Sequence, residues 1–202
     1  MLARAVVLLC AALFVCAPAM GQQNVRVRGT VEQVDGPVLT VKSRDGQMLK
    51  VKVADDVKVL AMVKASLADI KPGSFVGATA LPQPGGGWRA VEVHIFPEAM
   101  RGVGEGDRPN DYRPNSTMTN GTVSAAERAT VTKEEGTTLT LKYKESEKRI
   151  DVAPDTVIYT YAPSGKEELK AGAIISAAAT KQADGSLTTA RVNVARGITP
   201  PM

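Results

Sequence analysis

Residues 49–63 read LKVKVADDVKVLAMV, and this stretch decides the fold class. Apolar residues occupy every second position from Leu49 to Val53, and the alternation resumes from Val57 to Val63. A period of two residues puts apolar side chains on one face of a β-strand and polar side chains on the other. The stretch therefore predicts a long strand with one buried face.

The same pattern recurs in the second half of the chain. Residues 51–56, VKVADD, match residues 150–155, IDVAPD. Three further matches follow in the same order, namely Gly29-Thr30-Val31 with Gly121-Thr122-Val123, Leu39-Thr40-Val41 with Leu139-Thr140-Leu141, and Ile70-Lys71-Pro72-Gly73 with Leu169-Lys170-Ala171-Gly172. Four matches in one order, at offsets that drift only from 92 to 100 residues, indicate an internal duplication.

Each copy predicts three strand regions, then a one-turn helix, then two more strands. The helices are predicted at Ser66–Lys71 and Ser164–Lys170, because each segment starts with a serine followed three residues later by an acidic residue. Asp45-Gly46 is a typical hairpin turn between two strands. Five strands with a helix after the third is the order of an OB-type barrel. We therefore expect an all-β protein made of two tandem small OB-like β-barrels; an open roll of four or six strands is the alternative.

Residues 1–21 predict a secretory signal peptide. They contain Arg4, an apolar run of about a dozen residues and the small-residue pattern Ala17-Pro18-Ala19. Cleavage after Ala19 or after Gly21 fits equally, and an uncleaved N-terminal anchor is the alternative. The rest of the chain divides into a first barrel at 22–96, a Gly/Pro-rich linker at 97–119, a second barrel at 120–198 and a frayed tail at 199–202.

Cysteine usage favours a bacterial periplasm. Both cysteines, Cys10 and Cys16, lie in the predicted signal peptide, so the mature chain would have no disulfide and no cysteine metal ligand. Export without disulfides fits a periplasm better than a eukaryotic secretory route. No later apolar run reaches the length of a membrane-spanning helix, so we expect no transmembrane segment in the mature chain.

The charge pattern excludes one class of partner. The chain carries 25 basic and 21 acidic residues, and their signs alternate along the strands instead of forming a one-sided basic patch. Aromatic residues, which would stack on single-stranded bases, make up only 4% of the chain. We therefore expect no nucleic-acid partner.

Several short motifs carry a resemblance to a known group. They are the Gly29-Thr30-Val31 start, the Asp45-Gly46 turn, the Ile70–Gly73 helix end and the Ala90–Val93 strand. In these the first copy resembles small exported bacterial β-barrel domains of unknown function. The stretch from His94 to Asn120 is similar to a proteobacterial group of two-repeat periplasmic proteins, and this resemblance covers essentially the whole mature chain.

Some of those relatives bear an automatic name that suggests a metal transporter permease. A chain without predicted transmembrane helices does not fit that name. Relatives often carry a histidine before the Arg108-Pro109 pair, where this chain has Asp107. The resemblance therefore implies a fold and a location, and it names no ligand.

The inventory of reactive side chains argues against an enzyme. His94, the only histidine, follows Glu92 by two residues and shares its strand face, which could form an acid–base pair. No nucleophile motif accompanies the pair, and we expect His94 to be a surface residue beside the linker. We therefore expect no catalytic residues and no cofactor.

Two kinds of binding site remain. Trp88 beside the Pro84–Gly87 turn is a candidate ligand contact at a barrel mouth, with Pro84 and Gly86, although it could equally cap the barrel end. This favours a non-catalytic binding or scaffolding module of the cell envelope that engages a protein, a glycan or a small ligand. The alternative is periplasmic metal handling, because His94, Met100 and Met118 flank the linker and could bind soft copper. Two other methionines, Met48 and Met62, are expected to fill the core.

Overall fold

The computed structural model describes residues 23–111, 113–131 and 134–200, so the predicted signal peptide lies outside the described residues. Its secondary structure is β-strand apart from short 3-10 turns, which confirms the all-β prediction. The strands are β1 (Gln23–Asp35), β2 (Val38–Ser43), β3 (Met48–Lys64), β4 (Phe75–Pro82), β5 (Trp88–Ile95), β6 (Gly106–Pro109), β7 (Thr117–Val131), β8 (Glu134–Tyr143), β9 (Ser146–Val152), β10 (Val157–Ser164), β11 (Ile174–Lys181) and β12 (Leu187–Arg196).

Five strands close into a β-barrel. β1 pairs with β2 and β11, β2 pairs with β3, and β12 joins β11 to β3. All of these pairings are antiparallel except that of β3 with β12, which is parallel. The inward-facing residues form the first hydrophobic core, which includes Val27, Leu39, Val51, Ile175 and Val192.

A second strand group holds the second core. β5, β4, β7, β8 and β9 pair in that order, and β9 meets β5 again through the Arg89–Asp151 pair. Val76 and Val93 of β4 and β5 pack there against Leu139, Leu141 and Ile150 of β8 and β9. We call these five strands the second strand group.

The barrel combines strands from both predicted repeats, so two tandem barrels, each built from its own repeat, are not confirmed. The barrel takes β1–β3 from the predicted segment 22–96 and β11–β12 from the predicted segment 120–198. The length of β3 is the physical reason for this combination of strands. Its 17 residues span about 56 Å at roughly 3.3 Å per residue, so its far end runs past β2 and pairs there with β10, while its other edge stays paired with β12. The following strand, β4, therefore starts in the second strand group.

The strand pairing has an approximate two-fold symmetry. The end of β3 pairs antiparallel with β10, and Met62 lies opposite Tyr161. These two residues are 99 positions apart, which is the offset of the VKVADD match. The parallel pairing of β10 with β5 then mirrors that of β3 with β12. One difference is that Pro154, which has no N–H to donate, lies between β9 and β10, where the first repeat has one continuous strand.

The predicted helices are three-residue 3-10 turns at Leu67–Asp69 and Lys166–Glu168. The Asp69 carboxylate accepts hydrogen bonds from the backbone N–H and the hydroxyl of Ser66, both at 2.8 Å. In the second repeat Ser164 ends β10, and Gly165 is the residue before the turn. The predicted helices are therefore not confirmed: each segment contains a single 3-10 turn, and the predicted serine-to-acid contact is seen at the first of them.

The segment predicted as a linker packs along the second strand group. It contains a 3-10 turn at Glu98–Met100, and β6 pairs with the start of β7. Pro200, in the segment predicted as a tail, is buried. Within the described ranges, no helix has the length and apolar character needed to cross a membrane.

Candidate functional site

A cavity of about 350 Å³ lies between the two cores. Its walls come from β1, β11 and β12 of the barrel, from β5 and β7 of the second strand group, and from the β3–β10 pair. Residues of the predicted linker and Pro200 of the tail complete the wall. We call it the central cavity, and it is built by both repeats together.

Strand alternation explains which side chains reach the central cavity. Val93 of β5 and Val192 of β12 point into the two hydrophobic cores. The next residues along each strand therefore point the opposite way, toward the other repeat. Glu92 and Arg191, 99 positions apart, both line the cavity, and so do His94 and Asn193, with the same spacing.

His94 is buried, contrary to the expectation of a surface residue. Its side chain fits because Gly77 lies opposite it on β4; a Cβ there would overlap the imidazole and lie 2.6 Å from Asn120 Oδ1. Burial, with a smaller contribution from the positive charge of Arg108, lowers the pKa of His94 to about 3. The imidazole is therefore neutral at neutral pH.

Glu92 is also buried and is held by two hydroxyl groups. Its carboxylate accepts hydrogen bonds from Thr79 Oγ1 at 2.9 Å and from the Tyr159 hydroxyl at 3.4 Å. Burial raises its pKa, and the hydrogen bond from Thr79 and the charge of Arg28 offset only part of that rise. The cavity therefore favours the protonated carboxyl more than water does.

Aromatic rings form one wall of the central cavity. The imidazole of His94 lies edge-on to Phe96, with ring centroids 4.7 Å apart, and stacks on Tyr159 at 5.6 Å. Tyr161 lies 5.7 Å from Tyr159 and 5.9 Å from Phe96. Burial raises the pKa of Tyr161 to about 12, so its hydroxyl keeps its proton and can donate a hydrogen bond.

Three buried polar atoms at the cavity have no hydrogen-bond partner in the part of the chain that the structure describes. They are His94 Nδ1, Asn120 Oδ1 and Asn193 Oδ1. Each asparagine does use its amide nitrogen, because Asn120 donates to the Val103 carbonyl at 2.9 Å and Asn193 to Ser176 Oγ at 3.4 Å. Buried polar groups are nearly always paired, so these atoms mark a place where a partner is needed.

The methionines of the metal prediction meet at the same cavity. Met100 and Met118 line it together with His94, and Met62 adds a third thioether. Met118 Sδ accepts a long contact of 4.0 Å from the Thr79 hydroxyl. Met48 is exposed and lies elsewhere, so its predicted core role is wrong. Among the described residues, no group of three or more His, Cys, Asp or Glu could hold a metal ion.

The other predicted site, at Trp88, lies apart from the central cavity. Trp88 is half-buried and packs against the second core. The Lys148 ammonium lies 3.5 Å from the centre of its indole ring and also donates to Asp107 at 3.0 Å. One ring face is therefore covered by a cation, while Pro84 and Gly86 are exposed in the turn before the tryptophan.

Sequence reasoning missed most of the cavity wall. The residues it did not single out are Arg26, Arg28, Arg108, Asn120, Tyr159, Tyr161, Arg191 and Asn193. One signal was available, because equivalent positions of the two repeats, such as 92 with 191 and 94 with 193, all carry polar residues on the face turned away from the cores.

Comparison with known proteins adds no family. No protein-family model matches the chain, and neither the curated proteins nor the solved structures contain a match.

Proposed function

We propose that this protein is a non-catalytic binding module of the bacterial cell envelope that holds a small ligand in the central cavity. The observation that carries the proposal is the set of unpartnered buried atoms, His94 Nδ1, Asn120 Oδ1 and Asn193 Oδ1, on residues that line the cavity. A concave site with apolar and aromatic surface and a few converging polar groups is the usual form of a small-molecule site. A small ligand is favoured over a protein or a glycan because the site is a cavity and not a flat surface.

The surroundings of the two titratable groups support binding over catalysis. His94 is neutral at neutral pH and contacts aromatic rings, while Glu92 is hydrogen-bonded to Thr79 and Tyr159. A general base acts by taking a proton from a nucleophile within hydrogen-bond reach. Glu92 has two hydroxyls within that reach, but Thr79 is 1% exposed and burial raises the pKa of Tyr159 well above its usual value, so neither hydroxyl is an activated nucleophile.

The location and the finer fold belong to the same proposal. The barrel order β1-β2-β3-β12-β11, with β3 and β12 parallel and a 3-10 turn after β3, supports an OB-like barrel completed by strands of the other repeat. Residues 1–21 support export to the periplasm through a cleaved signal peptide. Mass spectrometry of the native protein that finds residues 1–19 still attached would contradict the export proposal.

Native mass spectrometry tests the binding proposal. The full chain is purified without denaturation from the envelope of its own bacterium, and we expect a non-protein mass to remain bound. The variant Asn120→Ala/Asn193→Ala should lose that mass, because it removes two of the three unpartnered polar atoms. Asn24→Ala, at an exposed position of β1, is the matched control and should keep it. Protein that carries no additional mass in any of the three forms would refute retention of a ligand.

Metal handling remains a second candidate, because Met62, Met100 and Met118 line the same cavity as His94. A thioether and imidazole set suits Cu(I), and the low pKa of His94 means that no proton competes for the ring. Competition titration with Cu(I) and with Zn(II) tests whether the central cavity binds a metal ion. Sub-micromolar Cu(I) binding that is lost in Met118→Leu and kept in the control Met48→Leu would favour this candidate, and absence of binding would end it.

A further inference from the structure

Four arginines surround the central cavity, and they come from three separate segments. Arg26 and Arg28 lie on β1, Arg108 lies on β6, and Arg191 lies on β12. Strands β1 and β12 belong to the barrel, and β6 pairs with the second strand group. The fold therefore brings together cations that the alternating charge pattern of the sequence scatters along the chain.

Two of these arginines share a single counter-charge. Arg26 and Arg28 donate to the same oxygen of Asp111, at 3.0 and 2.8 Å. Burial by itself raises the pKa of Asp111, but the charges of Arg28 and Arg26 outweigh it and hold the pKa below its usual value. Asp111 is therefore ionised and neutralises one of the two guanidinium charges.

The other two arginines have less compensation. Arg108 donates to the Gly104 carbonyl oxygen at 2.7 Å, and burial and the charge of Arg26 lower its pKa more than the charge of the neighbouring Asp107 raises it. The Arg191 guanidinium forms no ion pair within the residues that the structure describes. The carboxyl group on the cavity wall is Glu92, whose pKa is raised by burial. The central cavity therefore carries an excess of positive charge.

The same cavity also offers apolar and aromatic surface. Phe96, Tyr161 and Met62 line it, and Ile174 and Ala178 contribute apolar surface on β11, on the face opposite the core residues Ile175 and Ala177. At about 350 Å³ the cavity has room for a small organic molecule. An inorganic anion alone would leave this apolar surface without a contact.

We propose that the ligand of the central cavity is a small organic anion, with a carboxylate or phosphate group at the arginines and an apolar or aromatic body against Phe96 and Tyr161. This inference rests on the proposed binding function and specifies the chemical class of the ligand. Guanidinium groups bind carboxylates and phosphates alike through paired N–H donors, so the arginines suit either acid group.

Isothermal titration of the full mature protein with four probes tests the proposal. The probes are phenyl phosphate, benzoate, benzyl alcohol as the neutral analogue, and inorganic phosphate as the anion without an apolar body. We expect the better of the two organic anions to bind at least about tenfold more tightly than either benzyl alcohol or inorganic phosphate, and its affinity to fall as salt is added. Arg108→Gln and Arg191→Gln should each weaken it severalfold. Arg149→Gln, an exposed arginine of β9 outside the cavity, should leave it unchanged.

The outcomes separate this inference from the proposed function. Benzyl alcohol binding as tightly as benzoate, or anion binding unaffected by both arginine variants, would overturn the anionic ligand and leave the binding function intact. A retained native ligand that proves to be neutral or cationic would do the same. Failure of both organic anions to bind would also overturn it, and native mass spectrometry then decides separately whether the cavity holds any ligand.

Discussion

Burial of His94 makes the free energy of unfolding depend on pH, and a single substitution can isolate that dependence. It is the only histidine in the chain, and its pKa is about 3 in the folded state against 6.5 for an ordinary histidine. The unfolded chain therefore binds a proton at a pH where the folded chain does not. Its effect on stability is constant above pH 6.5, and stability is lost as the pH falls from 6.5 toward 3.

The size of the effect follows from the separation of the two pKa values. A pH of about 5 is about 1.5 units below the pKa of the histidine in the unfolded chain. Each unit corresponds to about 1.4 kcal/mol, so the folded state loses about 2 kcal/mol of stability. His94→Asn removes this dependence and suits the fold, because Asn193 occupies the equivalent position in the second repeat. Glu92 acts in the opposite direction, because a raised carboxyl pKa stabilises the folded state as the pH falls. Glu92 is present in both the wild type and the His94→Asn variant, so the difference between their pH-dependent losses of stability reports His94 alone.

Urea unfolding followed by the fluorescence of Trp88, the only tryptophan, measures this difference. Wild type and His94→Asn are compared at about pH 7.5 and about pH 5, and the wild type should lose about 2 kcal/mol more than the variant between the two. Equal losses in the two proteins would refute the buried, neutral imidazole. So would an NMR titration that places the histidine pKa near 6.5.

Three further substitutions test the packing around the site. Gly77→Ala forces a Cβ against the His94 ring and should lower the free energy of unfolding by about 1 to 3 kcal/mol, measured by urea unfolding. Leu139→Ala leaves a void in the second core and should cost about 2 to 5 kcal/mol in the same assay. Lys148→Gln removes the cation above Trp88 and should make the indole more accessible to acrylamide quenching.

Each of these substitutions has a matched control in the chain. Ser176, 99 positions after Gly77, already carries a Cβ, so Ser176→Ala should cost less than about 1.5 kcal/mol. Val34 is 41% exposed, and Val34→Ala should change stability by no more than about 0.5 kcal/mol. Arg149→Gln should leave the quenching of Trp88 unchanged. A variant that behaves like its control would contradict the contact assigned to it.

Part of the site could be predicted from the sequence. His94, Met100 and Met118 were singled out because their side chains bind soft metals and flank one segment, and the structure places all three at the central cavity. The arginines could not be found in the same way, because they lie on three strands that are far apart in the sequence. Trp88 was selected for its neighbouring turn, and a sequence pattern cannot show that Lys148 from β9 covers its ring.

The strands could be predicted from the sequence, because a period of two residues is a local property that defines which face of each strand is apolar. Four ordered sequence matches also predict a duplication. Only the tertiary structure decided that β11 and β12 complete the barrel begun by β1–β3. Alternation fixes the apolar face of a strand but not its pairing partner, because backbone hydrogen bonds are the same for every strand. The central cavity exists because the polar faces of strands from both predicted repeats meet there, over separations of about a hundred residues that local pattern does not encode.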